Sequence, residues 1–471
     1  MEITETKEAV TKAPFSAWVG NLHAYTEGKT EGRWIDFPQS KGNLQKAIND
    51  ISKNGAHEIF IADYDFRDDC TYLNNIFSEY SSISELNVIA KLIEEFEAEN
   101  PGIKVEQMPT NEDDYDTKIT SLGGTGVLPA VMEFSQDQAK TSVTNDFIDL
   151  EANKEVIDGK GEGAFFDGAL NVIKTEDGND YVGVPVSGWV QGIWCNTAML
   201  KEKGFDVPQN WDDVLEIAKA FYDPDSKQYG IALPTSESAF SEQVFSQFAI
   251  SNGANVFDAD GNVTIDTPEM KEALDFYKEL SSYSMPGSTE VADVKDAFIN
   301  QNAPLCLYST YILSAVQEAG FLDDVELALP NKTQQAAYGC VIVLSIASGL
   351  SDAEKAAAEK FVSFMLEKEN NESWLLMAPG GIQPVLGEVA EDAAYKENEA
   401  IVPLAHLLDE VGVAFDNLKL FGCVDGKNYM VMGDVTNKGI LSKMINNVVV
   451  QGSDSQTELT NAQAEVEAML K

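Results

Sequence analysis

Basic residues are scarce in this chain. Its 471 residues hold 32 Lys and Arg against 78 Asp and Glu, a formal net charge of −46. A surface of that sign repels phosphate, which excludes nucleic acid and anionic membrane surfaces as partners. Histidine is scarcer still: His23, His57 and His406 are the full set, with no HExxH pair, zinc-ligand set or nucleophile elbow. The cysteines (Cys70, Cys195, Cys306, Cys340, Cys423) are widely spaced and odd in number, which argues against zinc and against a disulfide framework. They read as buried free thiols. No apolar run approaches the ~20 residues that span a bilayer. The first residues, MEITETKEAVTK, show no basic segment followed by an apolar one, so the chain as written is expected to remain cytoplasmic.

What is present is ordinary globular material. The hydrophobic share is 44%, and a chain of this length exceeds one core, so two or three domains are expected. Residues 1–86 carry 14 Asp and Glu against 8 Lys and Arg, leaving −40 of the −46 on the other 385 residues. The acidity is therefore a solvated surface spread over the larger region. Carboxylate pairs abound, but no barrel-like alternation of strands and helices accompanies them, so a glycosidase is not the reading.

The organising stretch is Val184 to Asp213, VPVSGWVQGIWCNTAMLKEKGFDVPQNWDD. A short strand ends in Pro185, a Gly- and Trp-bearing segment follows, and Gly192 to Cys195 is a second strand-like run. A helix stops at Gly204, and Asn210 caps another that begins near Trp211. This is the pattern of a hinge between lobes. Gly183-Val184-Pro185, Asn196, Gly204, Pro208, Trp211-Asp212-Asp213 and Leu215 resemble the crossover of the carbohydrate-binding solute-binding proteins of ABC importers. Cys195 stands where that family usually has Tyr. The resemblance covers about residues 86–471. It implies an α/β, two-lobe periplasmic-binding-protein (type II) fold, a sugar or oligosaccharide ligand, importer membrane subunits as partners, and an extracytoplasmic location. It implies no enzyme activity and no cofactor.

The first 86 residues differ. Strands at Phe15–Gly20, Gly32–Pro38 and Glu58–Asp65 bracket a helix with Leu44, Ile48 and Ile51 on one face. This β-β-α-β module, with Asn21-Leu22, Tyr25, Glu27-Gly28, Trp34, Pro38, Asp63-Tyr64-Asp65 and Tyr80 to Asn87, resembles the first domain of ArdA-type antirestriction proteins, which mimic DNA. It implies, as the alternative function, an inhibitor of a restriction enzyme. The expected domains are 1–85, an α+β module; 86–186 with about 303–346, lobe 1; and 187–302 with about 347–471, lobe 2.

At the join, Ser84 to Glu99 reads as a helix with Leu86, Ile89, Leu92, Ile93 and Phe96 in one stripe. Lobe 1 of the family places a strand before this helix; here that slot holds the polar Arg67 to Ser81. Glu58–Tyr64 is expected to pair inside the N-terminal module, leaving the first-strand position beside a strand at Ile103–Gln107 vacant or irregular. Further expectations are a helix at Tyr115–Ser121 and a loop at Gly123–Gly126, which without Gly-Lys-Ser/Thr binds no nucleotide. Strands are expected at Leu128–Phe134, Tyr229–Leu233, Ala303–Tyr308 and Val341–Ile346, and an ordinary turn, not a calcium loop, at Asp258–Asn262.

A neutral sugar offers a ring of hydroxyls and an apolar C–H face. Aromatics cover the face, and Asp, Glu, Asn and Gln satisfy the hydroxyls. Residues of these types at strand ends or helix starts are Trp189, Gln191, Ser135, Asp137, Gln138, Phe240, Glu242, Tyr308 and Tyr311, with Trp374 before the Gly380-Gly381 block. Together they form the candidate ligand site. No catalytic, cofactor or metal residue is assigned. Trp194 and Trp211 read as core.

Overall fold

The computed structural model describes residues 13–27, 29–52, 59–66, 83–106, 108 and 112–471. It divides at Pro129/Ala130 into two compact units. The first unit reaches past the expected boundary at residue 85. The polar run Arg67–Ser81 lies outside the described residues, as do Glu58 and Gln107.

The first unit opens with β1 (Phe15–Asn21), α1 (Leu22–Thr26), β2 (Gly32–Phe37), α2 (Lys41–Ile51) and β3 (Ile59–Phe66). The strands form an antiparallel sheet in the order β2-β1-β3, with Phe15 opposite both Phe37 and Phe66. Alternation buries Phe15, Ala17 and Val19 on one face, where Ile35, Phe37 and Ile61 join them under Leu44, Ala47 and Ile51 of α2. Trp18 points the other way, and its ring fills the space over Gly32; a Cβ there would stand 2.4 Å from the indole. Ser40 caps α2 by accepting from Asn43 N.

Two helices complete the unit, α3 (Ile83–Glu99) and α4 (Glu112–Thr125). Ile83, Leu86 and Ala90 of α3 enter the core of the three-stranded sheet. Asn87 fixes them there, since its amide accepts from Gln39 N at 2.6 Å and donates to Gln39 O at 3.0 Å. This docking is why the unit extends beyond 85. β3 pairs with β1 and with no other strand among the described residues. The strand expected at 103–107 is absent over 103–106. Gly123, Gly124 and Thr125 end α4 instead of forming a loop.

The second unit begins with β4 (Val131–Ser135), α5 (Gln136–Thr144), α6 (Leu150–Lys160), α7 (Asp167–Val172) and β5 (Val184–Asn196). There follow α8 (Thr197–Glu202), α9 (Trp211–Phe221), α10 (Ala239–Ser251), α11 (Pro268–Ser281), α12 (Val291–Ile299) and β6 (Leu305–Ser309). Next are α13 (Ile312–Ala319), β7 (Val325–Ala328), β8 (Tyr338–Ile346), α14 (Asp352–Met365) and α15 (Lys368–Leu375). The chain ends in α16 (Gly387–Ala390), α17 (Ala393–Lys396), α18 (Leu408–Asp416), a hairpin of β9 (Cys423–Val424) and β10 (Lys427–Asn428), and α19 (Val431–Asn437), α20 (Ile440–Val449) and α21 (Ser455–Met469).

The sheet runs β4-β8-β5-β6, with β7 also on β5. β5 is one strand of 13 residues, where the sequence suggested two. Every residue of it but Trp189 is buried, which explains its nearly continuous apolar run. Tyr229–Leu233 is not a strand; only an isolated bridge joins Ala232 to Cys306. The core beside the second half of β5 gathers Ile193, Leu305 and Leu307 with α9, α10, α11, α20 and α21. Trp211 anchors it, stacked on Phe276 at 4.3 Å with its indole N–H donated to Ser251 Oγ at 3.0 Å. Trp194 is also fully buried, its N–H given to Tyr308 O at 2.9 Å. On the other side α14 packs on α6 and β8, and α18 packs on α7. Asp258–Asn262 is a turn in which Asp258 Oδ1 accepts from Asp260 N and Asn262 N.

Candidate functional site

The second unit turns on β5. Residues Val184–Gln191 are paired with β8, and Gln191–Cys195 with β6. Gln191 stands at the changeover, opposite Tyr338 on one strand and Ser309 on the other. Its side chain is buried, and Oε1 accepts from Gln247 Nε2 of α10 at 2.8 Å. Gln247 Oε1 is buried with no hydrogen-bond partner among the described residues.

Beside this pivot lies a cleft closed to a cavity of about 20 Å³, lined by Asp137, Glu242, Gln243, Ser246, Tyr338 and Thr436 with an apolar wall of Leu420, Phe421 and Met432. That is room for about one water molecule, so any larger ligand enters only when the walls part. The walls come from α5, which follows the carboxyl end of β4, and from α10, β8 and α19. Ligands in open α/β sheets sit at such strand ends.

Two carboxyl groups face the cleft under different constraints. Asp137, in the first turn of α5, is paired at 3.3 Å with the fully buried Lys140. Glu242 is buried; Oε1 accepts from Thr436 Oγ1 at 2.6 Å, while Oε2 has no hydrogen-bond partner among the described residues. Burial pushes the Glu242 carboxyl up to about 7, the hydrogen bond from Thr436 opposes the rise, and the negative charge of Asp137 adds to it. Burial also holds the Tyr338 phenol well above its ordinary value, reinforced by the charge of Asp137. Buried acceptors without partners cost ~1–3 kcal/mol each, so this cleft favours a ligand rich in hydroxyl donors.

Two aromatic pairs flank the polar groups. Trp189 lies 5.8 Å from Tyr338, and Phe240, two residues before Glu242, meets Tyr308 edge-on at 5.7 Å. The structure thus brings Asp137 and Glu242 together in the cleft, with Trp189 one contact away through Tyr338; Gln191, Phe240 and Tyr308 do not line the cavity. Ser135 and Gln138 direct polar atoms to each other instead. Ser135 Oγ accepts from Gln138 N at 3.3 Å and Gln138 Oε1 accepts from Ser135 N at 3.1 Å, the capping box that starts α5. Tyr311, 45% exposed, packs over Gly381. Trp374 is on α15, where its indole N–H is buried with no hydrogen-bond partner among the described residues. Asn371, one turn earlier, ties that helix to Val186 O at 2.7 Å. Neither Tyr311 nor Trp374 lines the cavity.

Sequence reasoning passed over Tyr338, Gln243, Ser246, Gln247 and Thr436. Gln243 and Gln247 carry a signal, amides one turn apart on the helix that bears Glu242. Thr436 carries none, because its role depends on α19 returning to α10 from nearly 200 residues away. A wider hollow of about 240 Å³ lies between Thr197, Phe205, Gln209 and Glu326. It contains none of the buried acceptors, and we do not assign it to the ligand.

The profile of the bacterial extracellular solute-binding protein family matches residues 91–403. That of the antirestriction protein ArdA matches residues 17–164, overlapping the first. YcjN of Escherichia coli (strain K12), named as a periplasmic-binding protein of an ABC transporter, is 45% identical over 384 residues, 82% of this chain and 89% of its own. A maltotriose-binding protein of Pyrococcus abyssi is 24% identical over 327 residues, 68% of each chain. The maltose-bound T. maritima MalE3 superposes with a TM-score of 0.67 over 82% of this chain and 97% of its own, at 21% identity. A cyclo/maltodextrin-binding protein complexed with maltotetraose gives 0.65 over 83% and 95%, at 20% identity. These likenesses give the two-lobe periplasmic-binding-protein fold, preceded here by a small α+β module. No described helix is long and apolar enough to cross a membrane. The chain belongs to the bacterial extracellular solute-binding protein family.

Proposed function

We propose that this chain is the substrate-binding component of an ABC importer and captures a sugar or oligosaccharide between two closing lobes. The observation that carries the reading is the acceptor-rich cleft at the hinge strand. Glu242 Oε2 is a buried acceptor without a partner among the described residues, Gln247 Oε1 is another on the same helix, and Tyr338, with Trp189 against it, lines the cavity beside Glu242. Sugar hydroxyls supply the donors, and a C–H face suits the rings. Asp137, Glu242, Gln191, Trp189, Phe240 and Tyr308 remain the proposed ligand residues, joined by Gln243, Gln247, Tyr338 and Thr436. The family's relatives named for maltotriose, maltose and maltotetraose support an oligosaccharide. Capture, not chemistry, is the role we assign, with importer membrane subunits as partners and an extracytoplasmic place of work.

We place the lobe boundaries by packing. Lobe 1 takes 130–187 with about 310–416, and lobe 2 takes 188–309 with about 417–471. Packing of α14 on α6 and β8, and of α18 on α7, supports this division. Calorimetric titration of the protein with a panel of mono- and oligosaccharides tests the reading. Saturable binding of at least one supports it, and none across the panel overturns it.

A second reading concerns the first unit alone. The ArdA profile and the three-stranded sheet with its covering helix favour a protein-interaction role, with a restriction enzyme as partner. Inhibition of restriction cleavage by the full chain, lost when the N-terminal module is removed, supports it; cleavage unaffected by the full chain rejects it.

A further inference from the structure

The cleft carboxyls Asp137 and Glu242 sit on α5 and α10, and one short helix touches both. On α19, Gly433 lies against α5 so closely that a Cβ would stand 2.8 Å from Thr141 Oγ1 and 3.1 Å from the carbonyl oxygen of Asp137 itself. Three residues on, on the same face of the helix, Thr436 donates its 2.6 Å hydrogen bond to Glu242. Met432, the residue before Gly433, contributes to the apolar wall.

We propose that α19 is a spacer that sets the separation of Asp137 and Glu242 when the cleft is closed, with Gly433 the positioning residue that lets it seat on α5. The inference rests on the sugar-binding reading for its consequence, which is specificity. The distance between two acceptor groups decides which pair of hydroxyls on a ring both can reach, and closure stops where α19 meets α5. The fit at Gly433 is tight on two sides. Thr141 Oγ1 is held in place because it donates to Asp137 O at 3.2 Å, and a backbone carbonyl already bonded within the first turn of α5 has little freedom to retreat. Gly433 has ordinary helical geometry, with no left-handed φ to demand glycine. Space is therefore the reason for glycine here, and alanine would otherwise suit the helix better.

The test is Gly433→Ala in the full chain, alone and combined with Thr141→Ala or Thr141→Ser. Two quantities are read: affinity for the best sugar of the panel, and the titration of the Glu242 carboxyl by carbon NMR without ligand, its resonance identified with Glu242→Gln. Groups around Glu242 in that titration are Asp137 of α5, with Lys140 paired to it, Tyr338 of β8 and Thr436 of α19. Gly433→Ala is expected to weaken binding about tenfold, roughly 1.4 kcal/mol. It is also expected to lower the Glu242 midpoint, as the carboxyl moves away from Asp137, while the melting temperature stays within a few degrees. Thr141→Ala, which removes the nearer obstacle, restores much of both; Thr141→Ser, which keeps the oxygen, does not. Affinity and midpoint unchanged in Gly433→Ala, or equal rescue by both Thr141 variants, overturn the spacer. If the unmodified chain binds no sugar, the sugar reading fails while the carboxyl titration still decides for or against the spacer.

Discussion

Thr436 donates a 2.6 Å hydrogen bond to Glu242, joining two helices that the chain makes nearly 200 residues apart. Only one of the two carboxyl oxygens is used. The other, buried without a partner among the described residues, gives the cleft both its polarity and its response to pH.

That response has a definite sign. The folded value for Glu242, about 7, lies above its ordinary 4.5. Its contribution to stability is therefore whole below 4.5 and is lost as pH rises from there to about 7. Glu242→Gln should flatten this part of the stability profile in urea titrations between pH 4.5 and 8. Binding runs the other way. A sugar hydroxyl donated to Oε2 favours the carboxylate, so affinity should rise with pH toward about 7 and level off above it, by at most about tenfold per pH unit. Affinity measured across this range should show the rise in the unmodified chain and none in Glu242→Gln. An unmodified chain with a flat affinity profile would remove Glu242 from the contact set.

Trp189 is the one residue of β5 left partly open, and it leans on Tyr338 at 5.8 Å. Trp189→Ala should weaken sugar binding about tenfold, consistent with an aromatic face worth roughly 1.4 kcal/mol. Because the ring is not fully packed, the melting temperature should move by only a few degrees. A large fall in stability with affinity intact would assign Trp189 to the core instead.

Trp211 should behave in the opposite way. It is stacked on Phe276 and hydrogen-bonded to Ser251, deep in the core beside the second half of β5. Trp211→Ala should cost about 3–5 kcal/mol of unfolding free energy. Denaturant unfolding is the measurement, and a loss below about 1 kcal/mol would mean that this helix start is not the anchor described.

Much of this architecture was legible because local signals and tertiary demands agree. Asn210 caps the helix at Trp211 as its position suggested, accepting from Asp213 N at 3.0 Å. The two ends of β5 were legible as strand, but the Gly and Trp segment between them read as a break where the structure continues one strand. The three short strands of the first unit were also legible, and the structure forms them at Phe15–Asn21, Gly32–Phe37 and Ile59–Phe66. Other features depended on distant packing. α3 carries an apolar stripe that reads as the start of the next domain, yet Leu86 and Ala90 are spent on the sheet of the first unit. Ile103–Lys104–Val105 has strand-like residues but does not form a strand. Within the site, Ser135 and Gln138 looked like ligand groups at a strand end; the same position is where a helix needs its cap, and the cap took them. Tyr338 and Thr436 escaped notice because their neighbours in the cleft come from remote parts of the chain.

The central claim is that the cleft at Gln191 takes a sugar between its walls. Calorimetry of the full chain against a panel running from monosaccharides to short oligosaccharides, repeated with Glu242→Gln, addresses it most directly. Saturable binding at one site, weakened in the variant, is the expected result. No binding by any member of the panel, or binding that Glu242→Gln leaves unchanged, would contradict it.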